Sequence, residues 1–118
     1  FTLVELLVVL AIIGTLLSLS APRYFRSMEK AKEAVLKENL ATLRSIVDKY
    51  YSDNGRYPSS LNDLVLKKYL RKIPEDPLTG SDNTWTFVPP VDKDKGLVFD
   101  VKSGSQERSQ DGTAYKDW

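Results

Sequence analysis

The first 22 residues of the chain differ sharply in charge from all that follow. Glu5 is the only formally charged side chain in residues 1–22, and all 17 Lys and Arg residues lie after Pro22. A helix of this length would extend roughly 33 Å, which is enough to cross the hydrocarbon core of a bilayer. We therefore predict that residues 1–22 form a membrane-spanning helical segment.

A secretory signal peptide is the alternative for this segment. No basic residue precedes the apolar run, the run is longer than an ordinary signal-peptide core, and the sequence opens on Phe1 rather than on Met. These features favour a retained segment that begins at a cleaved end. A chain trimmed at this point is the other explanation of the opening Phe.

Glu5 does not fit a simple membrane anchor. A carboxylate inside hydrocarbon costs on the order of 3 kcal/mol, so it requires a partner there. The nearest cation in the sequence is the α-ammonium group of Phe1, which can belong to the same chain or to a parallel neighbouring copy. The alternative is a solvated Glu5 in the headgroup region, but the spacing of Phe1 and Glu5 favours assembly.

Gly14 and Pro22 weaken the same helix. Gly costs about 1 kcal/mol relative to Ala in a helix, and Pro22 has no N–H to donate to the carbonyl of Ser18. We therefore predict a kink or a locally unwound backbone between Gly14 and Pro22. An ordinary membrane helix that tolerates both residues is the alternative.

Residues 23–54 show an amphipathic helical pattern that continues the apolar segment. Apolar residues, Val35 among them, recur mostly at steps of three and four, and the signal Asn54-Gly55 is typical of a helix end. No residue between Pro22 and Asn54 interrupts the pattern, so we predict one helix of about 50 residues. A coiled coil is disfavoured because the apolar steps drift from a strict heptad.

Residues 55–118 are predicted to form a small globular domain, which gives the chain an α+β fold. Ser60 and Asp63 indicate the start of a short helix that includes Leu70 and stops before Pro74, with basic residues at its end. Residues 85–88 and 97–101 are typical of an antiparallel β-hairpin, and residues 102–118 of a loop anchored by Trp118. The predicted core of this hairpin consists of Trp85, Phe87, Leu97 and Phe99.

Composition excludes several classes of function. The formal net charge is +1, and no stretch has the basic stripe with interleaved aromatic residues that would track the phosphate backbone of a nucleic acid, so nucleic-acid binding is not expected. The chain has neither Cys nor His, which removes the thiol nucleophile, the commonest general base and the usual zinc ligands. We predict that the protein is not an enzyme, and it has no catalytic residues to nominate.

The apolar segment carries a recognisable pattern. The sequence Phe-Thr-Leu-Val-Glu from Phe1 to Glu5, continued to Gly14 and followed by Pro22, closely resembles the mature amino terminus of type IV pilins and type II secretion pseudopilins. The resemblance implies that a prepilin peptidase removes a basic leader just before Phe1 and that the new amine of Phe1 is N-methylated. It also implies that Glu5 pairs with the amine of an adjacent subunit.

Further residues resemble the major pseudopilin of type II secretion in order and spacing. They are Tyr50 to Pro58, Pro74 to Gly80, Asp111-Gly112 and Trp118, with Leu78-Thr79 where the family usually has an aromatic residue. The resemblance implies a subunit of the bacterial inner membrane with a periplasmic C-terminal domain. It also implies that the partners are other copies of the chain, other pseudopilins and an inner-membrane assembly platform. Before assembly, the partner is the membrane itself.

The same family commonly binds calcium in its C-terminal loop. The corresponding segment here is short and offers Asp111 and Asp117 as carboxylate candidates, with Ser105 as a further oxygen. Calcium takes six to eight oxygen ligands, and the spacing matches no EF-hand loop. A hydrogen-bonded turn at Asp111-Gly112 is the alternative, and no cofactor is predicted to be required.

These observations predict a structural subunit that polymerises into a helical pseudopilus for type II protein secretion, located in the periplasm or outside the cell. Apolar helices that leave the membrane must be buried against one another, and head-to-tail packing that does not close generates a helical polymer. A type IV pilus subunit for adhesion or motility is the nearer alternative, and the lack of Cys favours the pseudopilus. A membrane-anchored periplasmic binding module is the other.

Overall fold

A computed structural model describes all residues of the chain, 1–118. Helix α1 spans Leu3–Asn54 and helix α2 spans Leu61–Leu66, and strands β1 (Thr86–Val88) and β2 (Asp100–Lys102) form a two-stranded antiparallel sheet. Short 3₁₀ turns cover Lys93–Lys95 and Tyr115–Asp117. The α+β prediction is confirmed, and the end of the long helix at Asn54 is where the Asn-Gly signal placed it.

The chain divides into two compact units, Phe1–Lys32 and Glu33–Trp118. The first unit consists of the amino-terminal part of α1, and every one of its residues is exposed. Its apolar stretch has the length and composition of a membrane span, and none of it is buried within the chain. Side chains such as Leu17, 64% exposed, therefore need lipid or other helices to cover them.

Within the first unit the helix is continuous through Gly14 and Pro22. Two hydroxyls bond back to the preceding turn: Thr15 Oγ1 donates to the Ala11 carbonyl at 2.8 Å, and Ser18 Oγ donates to the Gly14 carbonyl at 2.8 Å. Such side-chain bonds compete with the backbone ladder in the segment that Pro22 also weakens. No unwound backbone is present between Gly14 and Pro22, and the predicted kink stays a prediction.

In the second unit the carboxyl-terminal part of α1 supplies one face of the core. Its buried residues follow steps of four and three: Leu36, Leu40, Leu43, Val47 and Tyr50. The sequence pattern included Val35 in this face, but Val35 is 45% exposed and Leu36 is fully buried. The buried face of α1 therefore follows a strict alternation of four- and three-residue steps, and the apolar residue Val35 lies outside it.

Helix α2 begins as predicted and ends earlier. The Ser60 side chain accepts a hydrogen bond from the Asp63 N–H at 3.3 Å, and Asp63 Oδ2 in turn accepts one from the Ser59 N–H at 2.9 Å. The helix ends at Leu66 because Lys68 adopts a positive φ of 64°, so the predicted extension to Leu70 is wrong. The basic residues that follow Leu66 lie beyond the helix rather than in its last turn.

The β-hairpin exists, but it is shorter than predicted, and three of the four residues expected in its core are exposed. Phe87 pairs with Val101 in the ladder, and Trp85 and Val101 are buried. Phe87, Leu97 and Phe99 are 44%, 57% and 48% exposed, whereas Val98 is fully buried.

The reason for this difference lies at Pro58. The N–H groups of Leu97 and Val98 both donate to the Pro58 carbonyl, at 3.3 and 3.0 Å, instead of joining a regular ladder. This interrupts the alternation of side chains before β2 begins. Gly96, which precedes the interruption, has φ +119°, and a Cβ there would collide with the Tyr57 carbonyl. Only glycine fits this close approach.

Asp76 is a charged residue placed inside the second unit. It is fully buried, and its carboxylate accepts hydrogen bonds from Ser103 Oγ at 2.6 Å and from the Leu78 N–H at 2.9 Å. The Asp76 backbone also pairs with Ser81 in an isolated β-bridge. One carboxylate thus joins the loop that contains Leu78 to the segment that follows β2.

Candidate assembly site

The first turn of α1 is closed by a reciprocal pair of hydrogen bonds. The Thr2 N–H donates to Glu5 Oε2 at 3.2 Å, and the Glu5 N–H donates to Thr2 Oγ1 at 3.1 Å. This arrangement is a capping box, in which a Thr and a Glu three residues later each satisfy a free N–H of the helix start. The Thr-x-x-Glu pattern was visible in the sequence and was not used in predicting the role of Glu5.

Phe1 and Glu5 form no ion pair within the chain. The Arg44–Asp100 and Lys102–Asp100 ion pairs lie in the second unit, and Phe1 is fully exposed ahead of the first helical turn. The cap occupies Oε2 of Glu5 and leaves Oε1 without a partner. The carboxylate can therefore cap its own helix through one oxygen and present the other to a cation on a second chain.

The apolar surface of the first unit is also shaped for contact. Val8, Ala11 and Thr15 follow one another at helical spacing, and with Ile12 and Leu16 they line a shallow apolar depression on α1. Small side chains such as Ala11 let a second helix approach closely, which is the usual basis of helix packing without water. Gly14, a few residues away, has open space around its Cα.

The other predicted site residues lie in the tail of the second unit. Asp111 Oδ1 accepts hydrogen bonds from the Ser109 hydroxyl, from the Thr113 N–H at 3.0 Å and from the Thr113 hydroxyl at 2.6 Å. These bonds lower the pKa of Asp111 to about 2. The Gly112 N–H donates to the Ser109 carbonyl at 3.0 Å, so the predicted turn at Asp111-Gly112 is confirmed.

The donor set of this loop does not fit a calcium ion. No group of three or more His, Cys, Asp or Glu residues is placed to hold a metal, and one oxygen of Asp111 is already committed to three hydrogen bonds. Asp117 makes its described contacts with Ala114 and Lys102 through its backbone, and no hydrogen bond joins it to Asp111. Calcium binding stays a prediction that this geometry does not support.

Trp118 anchors the tail, as predicted. Its indole N–H donates to Thr113 Oγ1 at 2.8 Å, and its ring lies 5.0 Å from that of Tyr115. The Lys37 ammonium lies 4.9 Å from the ring centroid, and Arg44 donates to the Trp118 carbonyl at 2.8 Å. The tail is thereby held against α1 at two positions, Lys37 and Arg44.

Arg44 links three segments of the second unit, and this role was not identified from the sequence. Besides Trp118, it donates to Asp100 Oδ1 at 2.8 Å and to the Val101 carbonyl at 3.2 Å. One guanidinium group thus connects α1, strand β2 and the end of the tail. A single Arg on an amphipathic helix gives no signal of such a role, because its partners are distant in sequence.

We expect the Arg44–Asp100 pair to make stability depend on pH. Burial alone would raise the pKa of Asp100, but the hydrogen bonds from Arg44 and the Val101 N–H, with the charges of Arg44 and Lys102, lower it overall. A carboxylate whose pKa is lowered by folding stabilises the folded state at pH values above its ordinary pKa of 3.8. That stabilisation is lost as the pH falls through the pKa of the folded state.

Asp100→Asn should therefore lower the free energy of unfolding by about 1 kcal/mol at pH 7, and its difference from wild type should shrink as the pH falls below 3.8. Urea denaturation of the full chain in detergent micelles measures both values. The exposed Asp94→Asn variant is the control. A deficit of the Asp100 variant that is equal at pH 7 and pH 3 would contradict the assignment.

The fold and the amino-terminal geometry together define a class of protein: a type IV pilin-like subunit, with a fully exposed apolar helix that carries one acid and a small α+β unit after it. A family profile described as "Type II secretion system (T2SS), protein G" matches residues 23–117. The chain belongs to this family, and its predicted resemblance to the major pseudopilin is confirmed.

Relatives of known description agree with this assignment. The type II secretion system core protein G of Pectobacterium carotovorum is 37% identical over 93 residues, which is 65% of this chain and 60% of that protein. The Vibrio cholerae protein of the same name is 30% identical over 122 residues, covering 91% of this chain and 82% of the relative. The type IV major pilin protein PilA of Myxococcus xanthus is 33% identical over 64 residues, covering 54% of this chain and 29% of the pilin. No solved structure gives a significant match.

Proposed function

We propose that the chain is a structural subunit of a type II secretion pseudopilus, assembled through the apolar part of α1. The observation that carries this proposal is the first unit, whose membrane-length apolar helix is wholly exposed and bears a carboxylate with one uncommitted oxygen. Family membership gives the same class of function.

Burial of apolar surface drives the assembly. A Leu or Val side chain that leaves lipid for water loses about 1.5 to 3 kcal/mol, so a run of this length cannot leave the membrane unless other helices replace the lipid. When each copy is related to the next by a rotation and a rise, every apolar helix is covered by its neighbours. Such an arrangement does not close, so it forms a helical polymer. The small unit Glu33–Trp118 carries most of the charged side chains of the chain and stays in water in this proposal.

The proposed assembly contact pairs Glu5 of one copy with the α-ammonium group of Phe1 of the next. The uncommitted Glu5 Oε1 and the exposed Phe1 support this pairing, and exclusion of water between helices strengthens it. The proposal includes removal of a leader before Phe1 by a prepilin peptidase and N-methylation of Phe1. Mass spectrometry of the amino-terminal peptide from natural filaments would detect both.

The proposed location is the bacterial inner membrane before assembly, with residues 33–118 in the periplasm. Other pseudopilins and an inner-membrane assembly platform are the proposed partners, together with further copies of the chain. No catalytic activity is part of the proposal, because the structural role requires none.

Electron microscopy of the chain under assembling conditions tests the proposal. We expect fibres a few nanometres wide that contain the chain and whose formation requires the other secretion components. A type IV pilus is the second candidate, favoured by the match to the Myxococcus pilin, and it would appear as long surface fibres whose loss abolishes adhesion or motility but not secretion. Dispersed single subunits that still bind a ligand would instead indicate a membrane-anchored binding module.

We propose that the tail loop closes without calcium, since Asp111 is satisfied by Ser109 and Thr113. Addition of 1 mM Ca²⁺ should therefore raise the melting temperature of the full chain by less than about 1 °C, because a ligand that does not bind the folded state cannot stabilise it. Mg²⁺ at the same concentration is the control. A rise of several degrees with Ca²⁺ that Asp111→Asn or Asp117→Asn removes would establish a calcium site.

A further inference from the structure

The exposed helical segment that follows the apolar run carries a stripe of cations. Arg23, Arg26 and Lys30 are spaced i, i+3 and i+7, so they project within about 60° of one another on α1. All three are exposed and lie in the unit Phe1–Lys32. The segment therefore presents three cationic side chains on one side of the helix.

The charge of this segment is strongly one-sided. Residues 23–32 contain Arg23, Arg26, Lys30 and Lys32 but one acid, Glu29, so their formal net charge is 4 − 1 = +3. Charge complementarity therefore favours a partner that offers several negative charges close together.

Aromatic side chains lie at the same level of the helix. Tyr24 and Phe25 are each 63% exposed, and their ring centroids are 5.9 Å apart. Exposed aromatic rings at the end of an apolar span are typical of the membrane–water interface. The helix from Leu3 to Pro22 is about 30 Å long, so a bilayer that covers it would place residues 23–26 among the lipid headgroups.

We propose that Arg23, Arg26 and Lys30 bind the phosphate groups of anionic phospholipids in the leaflet that adjoins the end of the span. The inference rests on the membrane-inserted state of the proposed function and names the partner of the segment after the span. Lipid is favoured over the acids of a second copy because the stripe directly follows the span and shares its level with Tyr24 and Phe25. Bound lipid would fix the depth of the helix before assembly.

The full chain reconstituted in phosphatidylcholine vesicles containing phosphatidylglycerol provides the test. The chain has no Cys, so Ser27→Cys gives one site for a fluorophore beside the stripe. Headgroup-spin-labelled phosphatidylglycerol should quench this fluorophore about fivefold more effectively than spin-labelled phosphatidylcholine, the preference expected from the attraction of basic side chains to an anionic surface. Arg23→Gln with Arg26→Gln should reduce the preference below about twofold.

Lys67→Gln with Lys68→Gln is the matched control, because it removes the same charge from the second unit and should leave the preference unchanged. Equal quenching by the two lipids, or a preference that survives the double Arg substitution, would overturn the proposal. So would an Arg-dependent contact between two copies, detected by energy transfer, without a lipid preference.

Failure of this inference can be told apart from failure of the proposed function. Flotation of the chain with pure phosphatidylcholine vesicles reports insertion itself, independently of lipid charge. A chain that inserts and shows no preference for phosphatidylglycerol overturns the lipid stripe and leaves the filament proposal standing. A chain that does not insert overturns both.

Discussion

Replacing Glu5 with Leu is expected to leave membrane insertion intact and to reduce subunit association about a hundredfold. The Phe1 ammonium group of the neighbouring copy would be buried without its counter-ion, which costs about 3 kcal/mol, or roughly two decades in the association constant. Insertion itself should improve, since a carboxylate is removed from hydrocarbon. Filament yield by sedimentation and electron microscopy, with flotation on vesicles, measures the two effects separately.

The capping box makes a sharper version of this experiment available. In Glu5→Gln the amide oxygen can still accept the Thr2 N–H, so the cap is kept while the charge is lost. If Glu5 acts through an ion pair between copies, this variant should assemble almost as poorly as Glu5→Leu. If Glu5 acts by capping, which contributes about 1 kcal/mol, it should assemble normally. Glu29→Gln neutralises the other acid of the first unit and should assemble at the wild-type level.

Replacing Asp76 with Ala is expected to lower the free energy of unfolding of the second unit by about 3 kcal/mol. The substitution leaves the Ser103 hydroxyl and the Leu78 N–H buried without their acceptor, and each such group costs about 1 to 3 kcal/mol. Urea denaturation of the full chain in micelles, followed by the fluorescence of the buried Trp85, measures the change.

Asp82→Ala, an exposed acid in the same loop region, is the control and should change stability by less than about 0.5 kcal/mol. Combining Asp76→Ala with Ser103→Ala tests the contact itself, because the two substitutions should cost less together than the sum of their separate effects. Additive costs, or an Asp76→Ala variant as stable as wild type, would show that this buried carboxylate does not hold the loop in place.

The sequence was most informative where structure follows from local rules. The apolar run, the amphipathic continuation and the signal Asn54-Gly55 together predicted a helix whose observed bounds are Leu3–Asn54. The cap of α2 was predicted in the same way from Ser60 and Asp63. Each of these features depends on residues within one or two helical turns of each other.

The predictions failed where distant segments meet. The predicted alternation of Trp85, Phe87, Leu97 and Phe99 assumed a continuous β-ladder. The carbonyl of Pro58 interrupts this ladder by accepting hydrogen bonds from two N–H groups just before β2. The roles of Arg44 and Asp76 were missed for the same reason, because their partners lie 56 and 27 residues away. No local pattern reports such pairings.

The amino-terminal site shows a different limit. Phe1 and Glu5 were predicted as assembly residues from the cost of a charge in an apolar run, and the structure adds that the same carboxylate caps its own helix through Thr2. The pairing between copies depends on a second chain and is therefore a matter for experiment. The calcium prediction came from resemblance and stays a prediction, and the structure adds that Asp111 accepts hydrogen bonds from Ser109 and Thr113.

The way in which the tail is fastened bears on where the protein can mature. Asp111 and Trp118 hold it through hydrogen bonds and ring packing, and the chain contains no sulfur that could crosslink. Folding of this region is thus independent of thiol-oxidising enzymes and of the glutathione balance of the compartment. Material expressed in a reducing cytosol should have the same closed tail as exported protein, and dithiothreitol should leave it unchanged.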